Sequence, residues 1–355
     1  MKGRFMSEPK QRIVDPDILR GFMVRLLATA GCTEEAAAGA ESLYEAELRG
    51  YGTHGLLRLP SMVQRVRSGM INARAKVRVA MEREGSALVD ADRTLGAVGA
   101  LFGADLAIRK AKRAGCCAVG VLNGNHISMA GFYAEKIARA GCVGMITTMT
   151  TPLAHVLGGK ERLLGTNPLA IAVPSGGDDP ILVDFATTAI SFGTVLKSQA
   201  RGEAIPEGVA LGPDGEPTTD ASQAARGALT PLAAHKGYGL SLVMGLLAGP
   251  LLGAKVGADL ARSIAEKNHY DKGDLLIAID PASFGDPVAF GEAVRAHLLE
   301  VKSSPLAPGF SEIRIPGERS FRERARRLEE CVPIEEGVWE AAAALAGELG
   351  VAVPE

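Results

Sequence analysis

Apolar residues recur at helical spacing through the first seventy positions, and the pattern then changes. Asp15 and Pro16 are followed by Leu19, Phe22, Met23, Leu26 and Leu27. This predicts a helix with an Asp cap and Pro in its first turn, ending at Gly31. A second helix is expected from a Thr33 cap to Arg49, where Gly50 stops it. A third, short one should run from Pro60 to Gly69. Beyond residue 76, short apolar runs alternate with helical stretches. Residues 86–89, Cys116–Leu122, 143–147, Leu169–Val173, Ile181–Phe185 and 275–279 read as strands. Residues 97–114, 131–140, 237–252 and 287–302 read as helices. Strands alternating with helices predict an α/β region with a sheet covered on its faces. The Gly-, Pro- and Asp-rich stretch 203–220 reads as a loop wrapping over a site. The chain ends in helix again, with a charged run Glu318–Glu330 and an Ala-rich run 335–349. Residues 10–75 plus 313–355 are therefore expected as a helical unit, and 76–312 as the α/β unit.

One apolar run imitates a membrane span. No residue from 237 to 254 is charged, and Gly245, Gly249 and Gly253 form small-xxx-small steps. Pro250 interrupts the run, Tyr238 and Ser241 are polar, and the segment stands alone. A helix buried between other elements, its glycines allowing close backbone approach, is expected instead.

Composition narrows the class. Across 355 residues, 39 Lys+Arg meet 41 Asp+Glu, and the net charge of -2 lacks the basic excess of a nucleic-acid protein. Hydrophobic residues make up 47% and charged ones 23%, which excludes large-scale disorder. With 43 glycines and only 5% aromatics, an α/β enzyme fits better than an all-β sandwich. The five cysteines make no CxxC pair, and adjacent Cys116 and Cys117 sit in an apolar run. Reduced thiols, a reducing compartment and hence a cytoplasmic location are expected. The first fourteen residues are polar, so no secretory signal is expected there.

Gly50-Tyr51-Gly52-Thr53-His54-Gly55 matches the dinucleotide fingerprint GxGxxG. The fingerprint must follow a strand, open a helix and precede an acid about 20 residues on. Here it follows a helix, and no acidic residue lies between Gly55 and Met81. The match fails on context. No Walker A, HExxH or GxSxG pattern occurs either.

Chemistry-bearing residues gather in Gly-rich turns. His54 lies between glycines and has the right ordinary pKa for proton transfer, and Arg58 can grip a carboxylate with two parallel bonds. A plain surface loop is the bland alternative. Asn125-His126-Ile127-Ser128-Met129-Ala130-Gly131 follows a strand and opens a helix, where free N–H groups attract phosphate. A polar turn capped by Asn or Ser is the alternative there. Gly165-Thr166-Asn167-Pro168, Asp184-Phe185-Ala186, His235-Lys236-Gly237 and Arg314-Ile315-Pro316-Gly317-Glu318 are further turns, each weak alone. The six histidines share no metal-ligand spacing, and no carboxylate stands at i+3 or i+4 from His54 or His126. No metal is expected.

Together these turns resemble the type-2 malate/L-lactate dehydrogenase family. That family also holds sulfolactate and ureidoglycolate dehydrogenases and the piperideine- and pyrroline-2-carboxylate reductases. The likeness rests on Leu48-Arg49-Gly50, Thr53-His54-Gly55, Arg58-Leu59-Pro60, Asn125-His126, Ala130-Gly131-Phe132-Tyr133-Ala134 and Gly165-Thr166-Asn167-Pro168. It continues through Asp184-Phe185-Ala186-Thr187, His235-Lys236-Gly237-Tyr238-Gly239, Ile277-Ala278-Ile279-Asp280-Pro281 and Ile315-Pro316-Gly317-Glu318.

The resemblance implies a non-Rossmann NAD(P)-binding α/β fold and a homodimer acting on a small carboxylate. The implied activity is hydride transfer between NAD or NADP and a 2-hydroxy/2-oxo acid or a cyclic 2-imino acid. By the same resemblance His54 exchanges the proton with Thr53 assisting, and Arg58 and Thr166 bind substrate. His126, Ile127, Ser128, Met129, Ala130, Asp184, Phe185, Ala186, His235, Lys236, Arg314, Pro316, Gly317 and Glu318 line the cofactor. Two departures stand out. Thr53 replaces the usual Ser, and Phe192-Gly193-Thr194 replaces the Asp of the imino-acid reductases or the Arg-Gly-Lys of the malate and lactate types. Phe192 is expected to form an apolar wall, which suits a less charged substrate than malate. The competing readings are a metal-dependent hydrolase or lyase using His54, His126 and His235, and a family member without turnover.

Overall fold

The computed structural model describes residues 10–354. The polar stretch at residues 1–9 lies outside them. The chain forms two compact units: the residues up to Ser68 with those from Ser320 onward, and Gly69–Arg319.

The first unit packs the helices Pro16–Thr29, Ala36–Leu48, Leu59–Arg67 and Glu336–Leu349 around one core. Leu19, Phe22, Met23, Leu26, Leu27, Leu43, Leu56, Leu59 and Val63 are fully buried, and Phe22 meets Trp339 with ring centroids 5.4 Å apart. Asp15 caps the first helix, its Oδ1 accepting from the N–H groups of Asp17 and Ile18. Thr33 does not cap the second, contrary to expectation. That helix begins at Ala36 after a turn, with Glu35 at the cap position and no side-chain bond. A two-stranded ladder, Gln11–Val14 against Val332–Glu335, ties the two ends of this unit together.

The second unit is built on a seven-stranded sheet. In spatial order its strands are Arg78–Arg83, Ser86–Asp90, Cys116–Leu122, Gly273–Ile279, Val143–Thr148, Leu169–Val173 and Ile181–Phe185. Only the Ser86–Asp90 and Cys116–Leu122 pair is parallel. All six expected strands are present. Arg78–Arg83 was not foreseen, because every one of its residues is exposed and no apolar alternation marks it.

Glycines set how closely helices approach the sheet. Gly103, in helix Gly96–Ala114, lies against Val121 and Leu276, and Gly144 lies under helix Gly131–Arg139. On the other face Gly120 and Gly273 admit Leu252 and Ala248. A smaller four-stranded sheet orders Ala210–Leu211, Ala228–Leu229, Ala154–His155 and Arg162–Leu164. It shares a core with helices Phe192–Arg201 and Ala221–Arg226. The 203–220 stretch is mostly loop, as expected.

Helix His235–Ala248 corrects one expectation. Its glycines do allow close approach: a Cβ at Gly237 would overlap the carbonyls of Leu232 and Thr187, and one at Gly245 would come within 2.9 Å of Asn167 Nδ2. The helix is not enclosed on all sides, however. Leu242, Val243 and Leu246 are exposed on its opposite side, and Leu251 follows them. A uniformly apolar segment carries no periodicity to tell a half-covered helix from a buried one. Among the described residues no single helix is long and apolar enough to cross a membrane.

Candidate active site

The turn after helix Ala36–Leu48 contains two short 3₁₀ segments, Gly52–His54 and Leu56–Arg58. Thr53 links the two polar side chains of this turn. Its hydroxyl lies 3.0 Å from His54 Nδ1, and its carbonyl accepts from Arg58 Nε at 2.7 Å. The imidazole and the guanidinium are thus fixed to one residue and to each other's neighbourhood. His54 is half-buried, and its pKa is pushed down to about 4, first by desolvation and then by the Arg58 charge. Both causes favour neutral imidazole. At neutral pH His54 is therefore a proton acceptor.

The glycines of the failed fingerprint have another use. Glu47, in the last turn of the preceding helix, places its carboxylate inside this turn. Its Oε1 accepts from the Leu56 N–H at 2.7 Å. A Cβ at Gly55 would overlap that oxygen, and one at Gly52 would lie 3.7 Å from Oε2. The turn encloses a carboxyl group where a dinucleotide loop would hold phosphate, and that group is the protein's own. Sequence reasoning missed Glu47; an acidic residue in the last turn of a helix that leads into a glycine-rich bend was the available signal.

The remaining candidates belong to the second unit and gather along strand Ile181–Phe185 and the residues that follow it. Asp184 Oδ2 accepts from the Gly131 N–H at 2.6 Å, joining this strand to the His126 turn. Leu182 N donates to Pro316 O at 3.0 Å, bringing in the 314–318 turn. Thr187 donates through both its N–H and its hydroxyl to Thr166 O at 2.9 Å. Leu232 N donates to Thr187 O at 2.9 Å, attaching the segment before His235. The strand and the residues just after it thus join the other four turns of this unit that the sequence singled out.

Local hydrogen bonds hold two of these segments in place. Helix Gly131–Arg139 has no side-chain cap from its own turn. Asp184 supplies that cap from the sheet, so the Gly131 N–H is already bonded to a carboxylate. Burial pushes Asp184 up to about 6, and the Gly131 N–H pulls against that shift. In the same turn Ser128, at φ 63, donates its N–H to His126 Nδ1 at 3.0 Å, and Tyr133 donates its hydroxyl to Ile127 O at 2.6 Å. Both bonds hold the turn from within. Thr150 is a further residue the sequence reading missed. Its hydroxyl accepts from Thr166 N–H at 2.8 Å and lies 3.2 Å from Thr166 Oγ1.

His235 and Lys236 stand exposed at the head of helix His235–Ala248, after Ala233 and Ala234 at φ 47 and 53. Two basic side chains at a positive dipole end suit an anionic ligand. A dinucleotide's pyrophosphate has that chemistry, so these residues fit the cofactor. Phe192 packs against the core of the small sheet, with Arg162 over its ring at 5.8 Å from the centroid. Among the described residues no group of three His, Cys, Asp or Glu gathers as a metal site.

A family model described as malate/L-lactate dehydrogenase matches residues 14–342. The malate/(S)-sulfolactate dehydrogenase of Methanothermus fervidus is 34% identical over 340 residues, covering 96% of this chain and 98% of that one. The NAD(+) ureidoglycolate dehydrogenase of Escherichia coli strain K12 is 32% identical over 330 residues, covering 92% and 94%. The crystal structure of malate dehydrogenase from Entamoeba histolytica superimposes with a TM-score of 0.93 at 27% identity, covering 98% of this chain and 100% of that one. The chain belongs to the malate/L-lactate dehydrogenase family, with that family's mixed α/β fold. It is an NAD(P)-dependent dehydrogenase, an oxidoreductase acting on hydroxy acids.

Proposed function

We propose that this enzyme moves a hydride between nicotinamide and a small 2-hydroxy/2-oxo acid or a cyclic 2-imino acid. The observation that carries this reading is the Thr53 link, which sets His54 and Arg58 side by side on one turn. Arg58 holds the substrate carboxylate and decides which face of the reacting carbon is presented. His54 takes the proton of the substrate hydroxyl through Nε2, because Thr53 engages Nδ1. Bound nicotinamide accepts or donates the hydride. His235 and Lys236 meet the pyrophosphate, and the turns bearing His126–Ala130, Asp184–Ala186 and Arg314–Glu318 line the rest of the dinucleotide. Thr166, braced by Thr150 and Thr187, contacts substrate. Phe192-Gly193-Thr194 contributes no charge, which favours acids with a neutral side chain over malate.

The test is absorbance at 340 nm with NAD(H) and NADP(H) against a panel of 2-hydroxy acids, 2-oxo acids and cyclic imines. Turnover is expected with monocarboxylic members. Silence across the whole panel with both cofactors would sink the assignment.

We further propose a homodimer. Helix Pro287–Ser303 contains no buried residue, and a helix of this length is marginal in water without packing. Around it Phe284 is 84% and Phe310 70% exposed, and the second unit also presents Leu246 and Leu251. Isolated monomers rarely leave so much apolar surface uncovered. A second copy, presenting the same exposed apolar residues, is the partner. Sedimentation of the purified protein should give twice the chain mass of 36.9 kDa, and a Leu246→Asp, Phe310→Asp double variant should run as a monomer. A monomeric wild type would rule the dimer out.

A further inference from the structure

The turn bearing His54 and Arg58 is assembled around Glu47. This residue is 4% exposed and lies in the last turn of helix Ala36–Leu48, where no basic residue stands. A carboxylate there opposes the helix dipole, and burying it is costly unless it is hydrogen-bonded. Its bond to the Leu56 N–H, the first residue of the second 3₁₀ segment, is short and charge-assisted. The helix end is itself anchored. Arg327 donates to the Glu47 carbonyl at 2.7 Å, while Arg324 and Arg49 both bond the carboxylate of Glu45. A rigid helix end thus projects one carboxylate into the middle of the turn, between the segment ending at His54 and the segment ending at Arg58. Gly55 is at φ -99 and ψ -134, and a Cβ built there would overlap the Glu47 side chain. The entry of that side chain therefore requires glycine at this position.

We propose that Glu47 is the positioning residue of the active-site turn: its carboxylate fixes His54 relative to Arg58, and Gly55 is glycine in order to admit it. The proposal rests on the reading of His54 and Arg58 given above, and it assigns Glu47 no contact with substrate. A displacement of about 1 Å in such a pair costs on the order of 10²-fold in rate.

A double-variant cycle tests it. In the otherwise native enzyme Gly55→Ala should lower kcat/KM by more than about tenfold, because the new methyl expels the carboxylate. In the Glu47→Ala background, where no carboxyl group remains to be expelled, the same Gly55→Ala change should cost several-fold less. Glu47→Ala alone should lower kcat and raise KM for the carboxylate substrate together, with KM for the dinucleotide unchanged. A merely structural role would reduce the active fraction, lowering kcat at constant KM. That result, or equal costs of Gly55→Ala in both backgrounds, overturns the proposal. If Glu47→Ala does not fold, Glu47→Gln keeps the volume and one acceptor oxygen. It should still raise substrate KM by about threefold, and an unchanged KM counts against the proposal.

A second readout needs no turnover. Titration of the His54 imidazole by NMR should shift away from about 4 in Glu47→Ala, with Arg58 retained, as the opened turn changes the burial of the ring. An unmoved titration overturns the brace. Absence of turnover in the wild type, with the titration shifted in the variant, defeats the oxidoreductase reading and leaves the brace standing.

Discussion

Replacing His54 by alanine should lower kcat by about 10²- to 10⁴-fold while leaving dinucleotide binding intact. The expected size follows from the loss of the only proton acceptor assigned on the turn. The native pH profile should carry the same signature. With its pKa pushed down to about 4 by desolvation and the Arg58 charge, His54 is neutral over the whole physiological range. In the oxidation direction kcat/KM should stay level from neutrality down to about pH 4 and then fall. In the reduction direction a protonated donor is needed, so the rate should climb as pH falls toward that value. The depressed pKa also bears on stability. Unfolded His54 takes up a proton near its ordinary 6.5, before the folded protein does. Its contribution to stability is therefore full above that pH and is lost as the pH falls through about 4. Steady-state profiles in both directions, together with a chemical-denaturation series across pH 4–7, check these points. A limb near 6.5 in kcat/KM would mean that the imidazole is hydrated and that the geometry of the turn does not control it.

Replacing Arg58 should act mainly on substrate affinity. Arg58→Ala removes two charge-assisted hydrogen bonds to the carboxylate, worth about 3 kcal/mol together, and should lower kcat/KM by roughly 10²-fold. Arg58→Lys should recover little of that loss. A lysine keeps the charge but cannot bond the Thr53 carbonyl through Nε and grip a carboxylate with a planar edge at once. The change should appear as a raised KM for the acid, with KM for NAD(H) or NADP(H) unaltered. A lysine variant with native KM would show that Arg58 acts only as a point charge, or only as a structural partner of Thr53.

Much of the secondary structure can be read from the chain because burial imposes a period. Leu19, Phe22, Met23, Leu26 and Leu27 mark a helix since the core reaches only one of its faces. Runs such as Cys116–Leu122 mark strands enclosed on both sides. Elements without that imprint could not be read. Arg78–Arg83 is exposed along its whole length, and its place at the sheet edge follows from pairing with Ser86–Asp90. Helix Phe192–Arg201, capped by Ser191, packs against the short helix Ala221–Arg226 and the small sheet, whose two- and three-residue strands are too short to leave a pattern.

The residues of the candidate site were legible one turn at a time. His54, Arg58, His126, Thr166, His235 and Glu318 each lie in or beside a polar, glycine-bearing bend, where side chains are available for chemistry, and Asp184 lies near the end of an apolar strand. Their mutual arrangement was not legible. Nothing local announces that Asp184 caps a helix more than fifty residues earlier in the chain, or that Thr187 bonds Thr166. These are single long-range hydrogen bonds, and no composition or period records them.

By itself, then, the order of residues determined where the helices and strands lie, which bends carry imidazole, guanidinium and carboxylate, and which family those bends resemble. Solvation and backbone geometry act over a few neighbouring positions, and they leave that much in the sequence. Tertiary structure alone decided the order of the seven strands, the attachment of four turns to strand Ile181–Phe185 and the residues after it, and the entry of Glu47 into the turn whose glycines resembled a nucleotide loop. Those outcomes depend on which distant groups meet at hydrogen-bonding distance, and only the folded chain brings them together.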